Sequence, residues 1–181
     1  MKRFTDFSFW IVILSCLAIM QYELVGQEKE VRPSPPAKVS FNLNGNDIVI
    51  DYSSPSVKGR EIWGKLVPFD KVWRAGANEN TTISFSKPVM IEGKKLVAGT
   101  YGFHTIPSKN EWIIIFSNDA KEWGSYKYKQ ERDALRVTVK PQANALQEKL
   151  VYTIDKADNK KAKAVLAWEK LKIAFTIENV E

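Results

Sequence analysis

Short runs of alternating apolar and polar residues, separated by turn residues, constrain this sequence more than any other feature. Val39, Phe41 and Leu43 alternate with polar residues before Asn44-Gly45, and a second alternating run follows that pair. Alternation with a period of two predicts half-buried strands, and Asn-Gly is typical of a two-residue hairpin turn because both residues tolerate positive φ. No segment of the sequence shows a sustained 3.6-residue apolar period. We therefore predict an all-β fold, an antiparallel β-sandwich or a jelly-roll-like barrel.

Further strands are predicted at regular intervals. Residues 112–116 are apolar on both faces, which indicates a central buried strand. The runs at 165–168 and 171–177 together predict a closing hairpin. Two irregular stretches, 53–71 and 118–133, are predicted to be long loops, and the first of them should contribute Trp63 and Leu66 to the core.

The N-terminus has the pattern of a secretory signal. Lys2 and Arg3 precede an apolar run over residues 7–20, and Gly26 is a small residue at a suitable cleavage position. The run is shorter than the roughly 20 residues that span a bilayer. We therefore expect a cleaved signal peptide over 1–26, an exposed leader over 27–36 and a single β-sandwich domain over 37–181. The mature chain should be secreted or periplasmic, with no transmembrane segment.

The cysteine and histidine content limits the chemistry. The only cysteine is Cys16, inside the predicted signal, so cleavage at Gly26 leaves no disulfide and no thiolate. Lipoprotein attachment at Cys16 is the alternative, disfavoured because the apolar run continues beyond it. With His104 the single histidine, a zinc site built on several histidines or cysteines is excluded, and we predict no metal and no cofactor.

Residues 72–82, V-W-R-A-G-A-N-E-N-T-T, are densest in side chains that contact ligands or fix an unusual backbone. Arg74 can hold a carboxylate or phosphate bidentately, or it can pair with Glu79 or Asp70 and pin the loop. Trp73 offers either a stacking face for a ligand or a core side chain. The candidate ligand-binding residues are Trp73, Arg74, Asn78, Glu79, Asn80 and His104.

Two interpretations are open for Asn78 and Asn80, and two for His104. Asn78 and Asn80 can contact ligand hydroxyls, or they can stabilise a turn at Gly76 through their own backbone. His104 lies in a predicted strand, on the face opposite Phe103. It is either a hydrogen-bonded structural residue or a ligand contact or general base.

No segment carries a recognisable catalytic motif. There is no G-x-S-x-G elbow, Walker loop, dinucleotide fingerprint or EF-hand loop, and nothing in the spacing of the acids selects a pair for glycoside hydrolysis. The net charge of +6 fits an anionic partner or a solvated lysine-rich surface, and the basic residues around Tyr126 and Tyr128 are diluted by Glu131 and Asp133. A nucleic-acid partner is therefore not expected.

Three functional hypotheses follow. The favoured one is a non-enzymatic envelope binding module for a glycan, an anionic small molecule or a protein. The second is a small envelope hydrolase or isomerase, with His104 or Glu79 as the base and Arg74 as an anion clamp. The third is a structural component of an envelope assembly.

Several segments together resemble a known family. They are R-E-I-W-G at 60–64, W-R-x-G-A-N-E-x-T-T at 73–82, A-G-T-Y-x-x-x-x-I-P at 98–107 and D-A-L-R-V at 133–137. The chain resembles the secreted bacterial proteins of domain-of-unknown-function family 2911 over essentially its whole mature length. The resemblance implies secretion and a single domain, with hallmark positions at Trp73, Arg74, Gly76, Asn78 and Thr81. It implies no activity, because none is established for the family.

Overall fold

A computed structural model describes residues 32–180 of the protein. These residues form two antiparallel sheets, packed as a β-sandwich, and contain no α-helix. The strands are β1 (Pro36–Leu43), β2 (Asn46–Ser53), β3 (Thr82–Phe85), β4 (Val89–Ile91), β5 (Lys94–Leu96), β6 (Gly99–Pro107), β7 (Trp112–Ser117), β8 (Asp133–Val139), β9 (Gln142–Lys156) and β10 (Lys161–Asn179). The first sheet has the order β1-β2-β3-β6-β7-β8 and the second has the order β5-β4-β10-β9. The predicted β-sandwich is confirmed; neither sheet closes into a barrel.

The N-terminal hairpin forms where its turn residues predict it. β1 and β2 pair from Pro36 opposite Ser53 to Leu43 opposite Asn46. Asn44 and Gly45 have φ values of 48° and 79°, as a two-residue turn with positive φ at both positions requires. The inward residues of both strands join the core, so the sequence alternation and the burial agree.

The core lies between the inner faces of the two sheets. Phe103 and Phe116 of the first sheet meet Phe175 of β10, with ring centroids 5.7 and 6.0 Å apart. Tyr152 of β9 packs edge-on against Phe103. These side chains are buried, and each fully buried aromatic or aliphatic side chain contributes roughly 1.5–3 kcal/mol through removal of its surface from water.

Four tryptophans form a cluster at one end of this core. Trp63 contacts Trp73, Trp112 and Trp168 with centroid separations of 5.7, 4.8 and 5.9 Å, and Trp73 stacks on Trp168 at 5.9 Å. The predicted contribution of Trp63 to the core is therefore confirmed.

The same prediction was wrong for Leu66, which is 46 % exposed. Ile62 and Val67 are buried in its place. The backbone turns tightly here, because the Val67 N–H donates to the Ile62 carbonyl at 2.9 Å, and Leu66 at the tip of the turn faces outward.

The predicted closing hairpin over 165–177 was also wrong, since these residues belong to one strand, β10. β10 instead pairs with β9, which begins at Gln142. The register shifts between Ala167 and Leu171, where Glu169 has a φ of 54°. Ala167 to Leu171 lie opposite Val151 to Ala143, so the extra residues of this irregularity are in β9. The buried face of β10 changes between Trp168 and Ile173, so a single strand has the sequence pattern of two strands.

The two predicted long loops are present. The first joins β2 to β3, and the second, after β7, ends in a 3₁₀ turn at Gln130–Arg132. The second loop covers the outer face of the first sheet, where His104 and Ile115 are buried. Part of the outer face of the first sheet is therefore also buried, under residues 118–132.

Residues 32–180 contain no helix long and apolar enough to cross a membrane. The predicted signal peptide, Cys16 and residues 27–31 of the predicted leader lie outside the described residues, so these stay predictions. The pairing of the first sheet begins within that leader, at Pro36.

Candidate functional site

Residues 73–81 form a loop whose two ends are hydrogen-bonded to β6 of the first sheet, and Arg74 lies in this loop. Trp73 and Thr105 of β6 exchange two backbone hydrogen bonds of 2.8 Å, and the Phe103 N–H donates to the Thr81 carbonyl at 2.7 Å. Trp73 faces the tryptophan cluster. Because successive side chains of an extended chain alternate, Arg74 faces away from that cluster.

The backbone after Arg74 is strained and tightly held. Ala75 is fully buried and has a φ of 52°, a backbone conformation that is unfavourable for residues other than glycine. Its carbonyl accepts hydrogen bonds from the hydroxyls of Tyr152, at 2.7 Å, and Thr81, at 3.2 Å. Burial raises the pKa of Tyr152 well above its usual value, so this hydroxyl stays a donor. At Gly76 a Cβ would lie 2.7 Å from the Thr81 hydroxyl, which leaves room only for glycine.

Two surface depressions share Trp73, Arg74 and Tyr126 as lining residues. The larger, which we call the main groove, has a volume of about 340 Å³ and is also lined by Arg60, Leu66 and Trp168, among others. The smaller, which we call the side depression, has a volume of about 200 Å³, and Val72 and Ser125 complete its lining. No carboxylate lines either depression.

Arg74 is half-buried and makes no hydrogen bond or ion pair with another residue of 32–180. Neither of its predicted local partners, Glu79 and Asp70, pairs with it. Its Nε is buried without an acceptor. Gly124 makes room for the guanidinium, because a Cβ there would lie 2.6 Å from Nη1. A partly buried cation without a partner loses hydration and gains nothing in return, so the site favours an anion from outside.

Other donors lie around the same groove. The indole N–H of Trp168 is buried without an acceptor among the described residues, and so is that of Trp63. The Arg60 guanidinium donates to the carbonyls of Ser56 and Val57, which hold it at the edge of the main groove. The lining of the main groove therefore contains two guanidinium groups and an indole N–H without an acceptor, and no carboxylate.

His104 lies behind the side depression rather than in its lining. It is 2 % exposed, and its Nδ1 is 3.2 Å from the Ser125 hydroxyl oxygen. Burial lowers the pKa of His104 to about 4; the Asp133 carboxylate opposes this shift and the charge of Arg74 reinforces it. His104 is therefore a neutral ring that supports the loop at Ser125 near neutral pH.

A closed polar network completes the region between the second loop and β8. The Tyr128 hydroxyl donates to Asp133 Oδ2 at 2.7 Å, Arg136 Nε donates to the same oxygen at 2.6 Å, and Arg136 Nη2 donates to the Tyr128 oxygen at 2.6 Å. Burial raises the pKa of Tyr128 to about 12, and its hydrogen bond to Asp133 adds to the shift. None of these three residues lines either depression.

The structure brings two of the six candidate residues to the site, Trp73 and Arg74. Asn78 has a φ of 57° and donates to the Ser34 carbonyl at 3.1 Å, and the side chain of Asn80 donates to the Asp119 carbonyl at 3.4 Å. These bonds join the asparagines to segments distant in sequence, rather than to their own backbone as the turn interpretation expects.

Glu79 and His104 also lie outside both linings. The backbone of Glu79 pairs with that of Trp123, which joins the two long loops. A ligand-binding role for any of the six residues stays a prediction.

Several lining residues were not among the predicted ligand contacts, namely Arg60, Leu66, Ser125, Tyr126 and Trp168. They come from the first loop, the second loop and β10, which are far apart in sequence. The available signal is the aromatic residues Trp123, Tyr126 and Tyr128 within an otherwise polar segment.

A larger depression, about 620 Å³, lies elsewhere and is lined by Thr82, Thr100 and residues 118–122. Lys121 in this lining is exposed, Glu122 is partly exposed, and Asp119 accepts from Arg132 at 3.0 Å. We place the candidate site at Arg74 because Nε of this partly buried cation is buried without an acceptor. Within residues 32–180 no group of three or more histidine, cysteine or acidic side chains is arranged to hold a metal ion.

The model of one protein family, described as a protein of unknown function (DUF2911), matches residues 34–177. The chain belongs to this family. The match includes every residue of the two depressions. No curated protein and no solved structure matches the chain. The family carries no assigned activity, so a function has to be argued from the geometry.

Proposed function

We propose that this protein is a non-enzymatic binding module of the cell envelope that holds an anionic ligand at Arg74 through a carboxylate or phosphate group. One observation carries the proposal: the half-buried Arg74 guanidinium lines both depressions and has no partner within residues 32–180. A planar guanidinium binds a carboxylate or phosphate through two parallel hydrogen bonds, which gives both affinity and orientation.

The construction of the site favours a ligand role for Arg74 over a structural one. A structural arginine satisfies its donors with carbonyls or carboxylates of its own chain, as Arg60 does. Arg74 does not, although the backbone beside it is strained at Ala75 and Gly124 leaves room for its guanidinium. Such strain persists where surrounding contacts enforce it, and it is concentrated at functional sites.

The lining favours binding over catalysis. A general base has to reach the proton that it removes, either directly or through one water. Neither His104 nor Glu79 lines either depression, and no carboxylate does. The envelope location rests on the predicted signal peptide. Mass spectrometry of the secreted or periplasmic protein would test it, with an expected N-terminus at Gln27.

The test is calorimetric titration of acetate and inorganic phosphate into protein purified from expression of the full chain, at low ionic strength. Arg74→Gln should weaken binding by about 10- to 100-fold, the amount that corresponds to loss of hydrogen bonds to a charged group. Arg74→Lys should be intermediate, since it keeps the charge and loses the planar fork.

Arg132→Gln is the matched control. This arginine is exposed, pairs with Asp119 and lies outside both depressions. Binding that survives in Arg74→Gln, or that falls equally in Arg132→Gln, would refute an anion site at Arg74.

A further inference from the structure

The two depressions meet at one charged residue, and a single small anion would fill neither of them. We propose that the site takes an acidic oligosaccharide, with one acidic sugar unit at Arg74 and neighbouring units in the main groove and the side depression. The inference rests on the proposed function, because it assigns the ligand class of the same site.

The volumes indicate a chain of small units. Sites for small molecules have volumes of about 300–1,000 Å³. The main groove, at about 340 Å³, is at the low end of that range, and the side depression, at about 200 Å³, is below it. Each therefore suits a ligand portion of ring size, and their shared lining residues allow one chain to cross from one to the other over Arg74.

The aromatic residues supply a surface that suits sugar rings. Tyr126 lines both depressions and is 84 % exposed, so the core does not account for its position. Trp73 also lines both, stacked on the buried Trp168, and so provides a rigid wall. An aromatic side chain packs its apolar face against the C–H face of a sugar, while the Tyr126 hydroxyl and nearby backbone groups can bind its hydroxyls.

The charges indicate that the sugar is acidic. Arg74 and Arg60 both line the main groove, and no carboxylate lies opposite them. A neutral sugar would leave the Arg74 guanidinium without a counter-charge in a site from which water is displaced. A carboxylate on the unit at Arg74 supplies that charge, and Arg60 is placed to attract a second one.

The backbone around the site argues against an acidic peptide. Extended peptides commonly gain affinity by pairing their main chain with an open sheet edge. Apart from Trp168, every residue that lines the two depressions lies outside the strands. The site therefore presents side chains rather than a strand edge.

The test compares chain lengths by calorimetric titration into protein purified from expression of the full chain. The probes are mono-, di- and trigalacturonate, with methyl-esterified trigalacturonate as the uncharged match and triglutamate as the peptide match. Trigalacturonate should bind about tenfold or more tightly than the monomer, because contacts of the added units become intramolecular. The methyl ester should bind at least about tenfold more weakly than trigalacturonate, because it lacks the charge. Triglutamate should also bind at least about tenfold more weakly, because it lacks the sugar surface.

Two variants block one depression each. Leu66→Trp narrows the main groove and Val72→Phe narrows the side depression, and each should bring the affinity for trigalacturonate toward that of the shorter chains. The matched controls are Leu146→Trp and Val97→Phe, at exposed positions outside both depressions, which should leave that affinity unchanged. Melting temperatures establish that each variant is folded.

Three results would overturn the inference: equal affinities for monomer and trimer, equal binding of the methyl ester, or triglutamate binding as tightly as trigalacturonate. Monomer binding that depends on Arg74 but not on chain length would leave anion binding intact and refute only the oligosaccharide. Failure of acetate, phosphate and all galacturonates to bind would refute the proposed function itself.

Discussion

Arg74 and Arg136 are both half-buried arginines, but they differ in their hydrogen-bond and ion-pair partners. Arg136 donates to Asp133 and Tyr128 within a closed network, and all three groups belong to this chain. Arg74 has no partner within residues 32–180, and the lining of its two depressions contains no acid. One charge is neutralised by the fold, and the other has no counter-charge among residues 32–180.

This difference predicts that folding depends on Arg136 and not on Arg74. Desolvation of a charge is unfavourable unless partners replace the lost water. At Arg136 the fold provides that replacement. At Arg74 it does not, and it adds a strained residue, Ala75, directly beside the charge. Four experiments test this contrast, from the largest expected effect to the smallest.

The largest effect is expected for Arg136→Met. This change leaves the Asp133 carboxylate, whose side chain is only 7 % exposed, without its cation. Removal of one partner of a buried pair costs about 3–5 kcal/mol. Urea denaturation at pH 7 measures this loss. A loss below about 1 kcal/mol, typical of exposed pairs, would show that the network is not structural.

The second effect concerns pH and His104, the only histidine of the chain. Its pKa in the folded protein is about 4, below the usual 6.5, so between these values the unfolded chain binds a proton that the folded chain does not. The contribution of neutral His104 to the free energy of unfolding should therefore be fully present above about pH 6.5. The free energy of unfolding should fall by about 3 kcal/mol as the pH drops to 4.

Urea midpoints between pH 7 and pH 4 check this dependence, and the NMR titration of the single imidazole gives the pKa directly. His104→Gln should lose this part of the pH dependence and keep the part that comes from carboxylates. An imidazole that titrates near 6.5 would contradict the burial of His104 under the second loop.

The third experiment loosens the support of Arg74. Tyr152→Phe removes the hydroxyl that donates to the Ala75 carbonyl, at a cost of about 0.5–1.5 kcal/mol in the free energy of unfolding. It should also weaken anion binding, because Arg74 becomes less well positioned. Thermal melts and acetate titrations measure the two quantities. Tyr126→Phe is the control for stability, since Tyr126 is exposed, and it should leave the melting temperature unchanged.

The smallest effect on stability is expected for Arg74→Gln. The variant loses no partner within the described residues and relieves the desolvation of a charge, so its free energy of unfolding should stay within about 0.5 kcal/mol of the native value. Urea denaturation beside Arg136→Met gives the direct comparison. A loss of several kcal/mol would make Arg74 architectural and remove the contrast between the two arginines.

The fold could be predicted from the sequence where local chemistry determines it. The β1–β2 hairpin follows from Asn44-Gly45 and the alternation on either side, which depend only on neighbouring residues. The long β10 strand could not be predicted, because its buried face changes near Glu169 and its continuity depends on pairing with β9. Local patterns determine turns and strand faces, whereas strand length and register depend on partners distant in sequence.

The site could be predicted only in part, for the same reason. Trp73 and Arg74 stand out in a dense motif. Their neighbours Arg60, Tyr126 and Trp168 come from three other segments that only the sandwich brings together. The lack of a partner for Arg74 was also beyond the sequence, since Glu79 and Asp70 are close along the chain and yet do not pair with it.

The hydrogen bond from Tyr152 to the Ala75 carbonyl has a consequence for the dynamics of the site. Tyr152 belongs to β9 of the second sheet, while Trp73 is hydrogen-bonded to β6 of the first, so the segment that carries Arg74 is tied to both layers. It cannot open without loosening contacts to both layers, so exchange of the Trp73 amide, which donates to the Thr105 carbonyl, should require global rather than local unfolding. A ligand bound at Arg74 would then slow exchange throughout both sheets and not only in the groove.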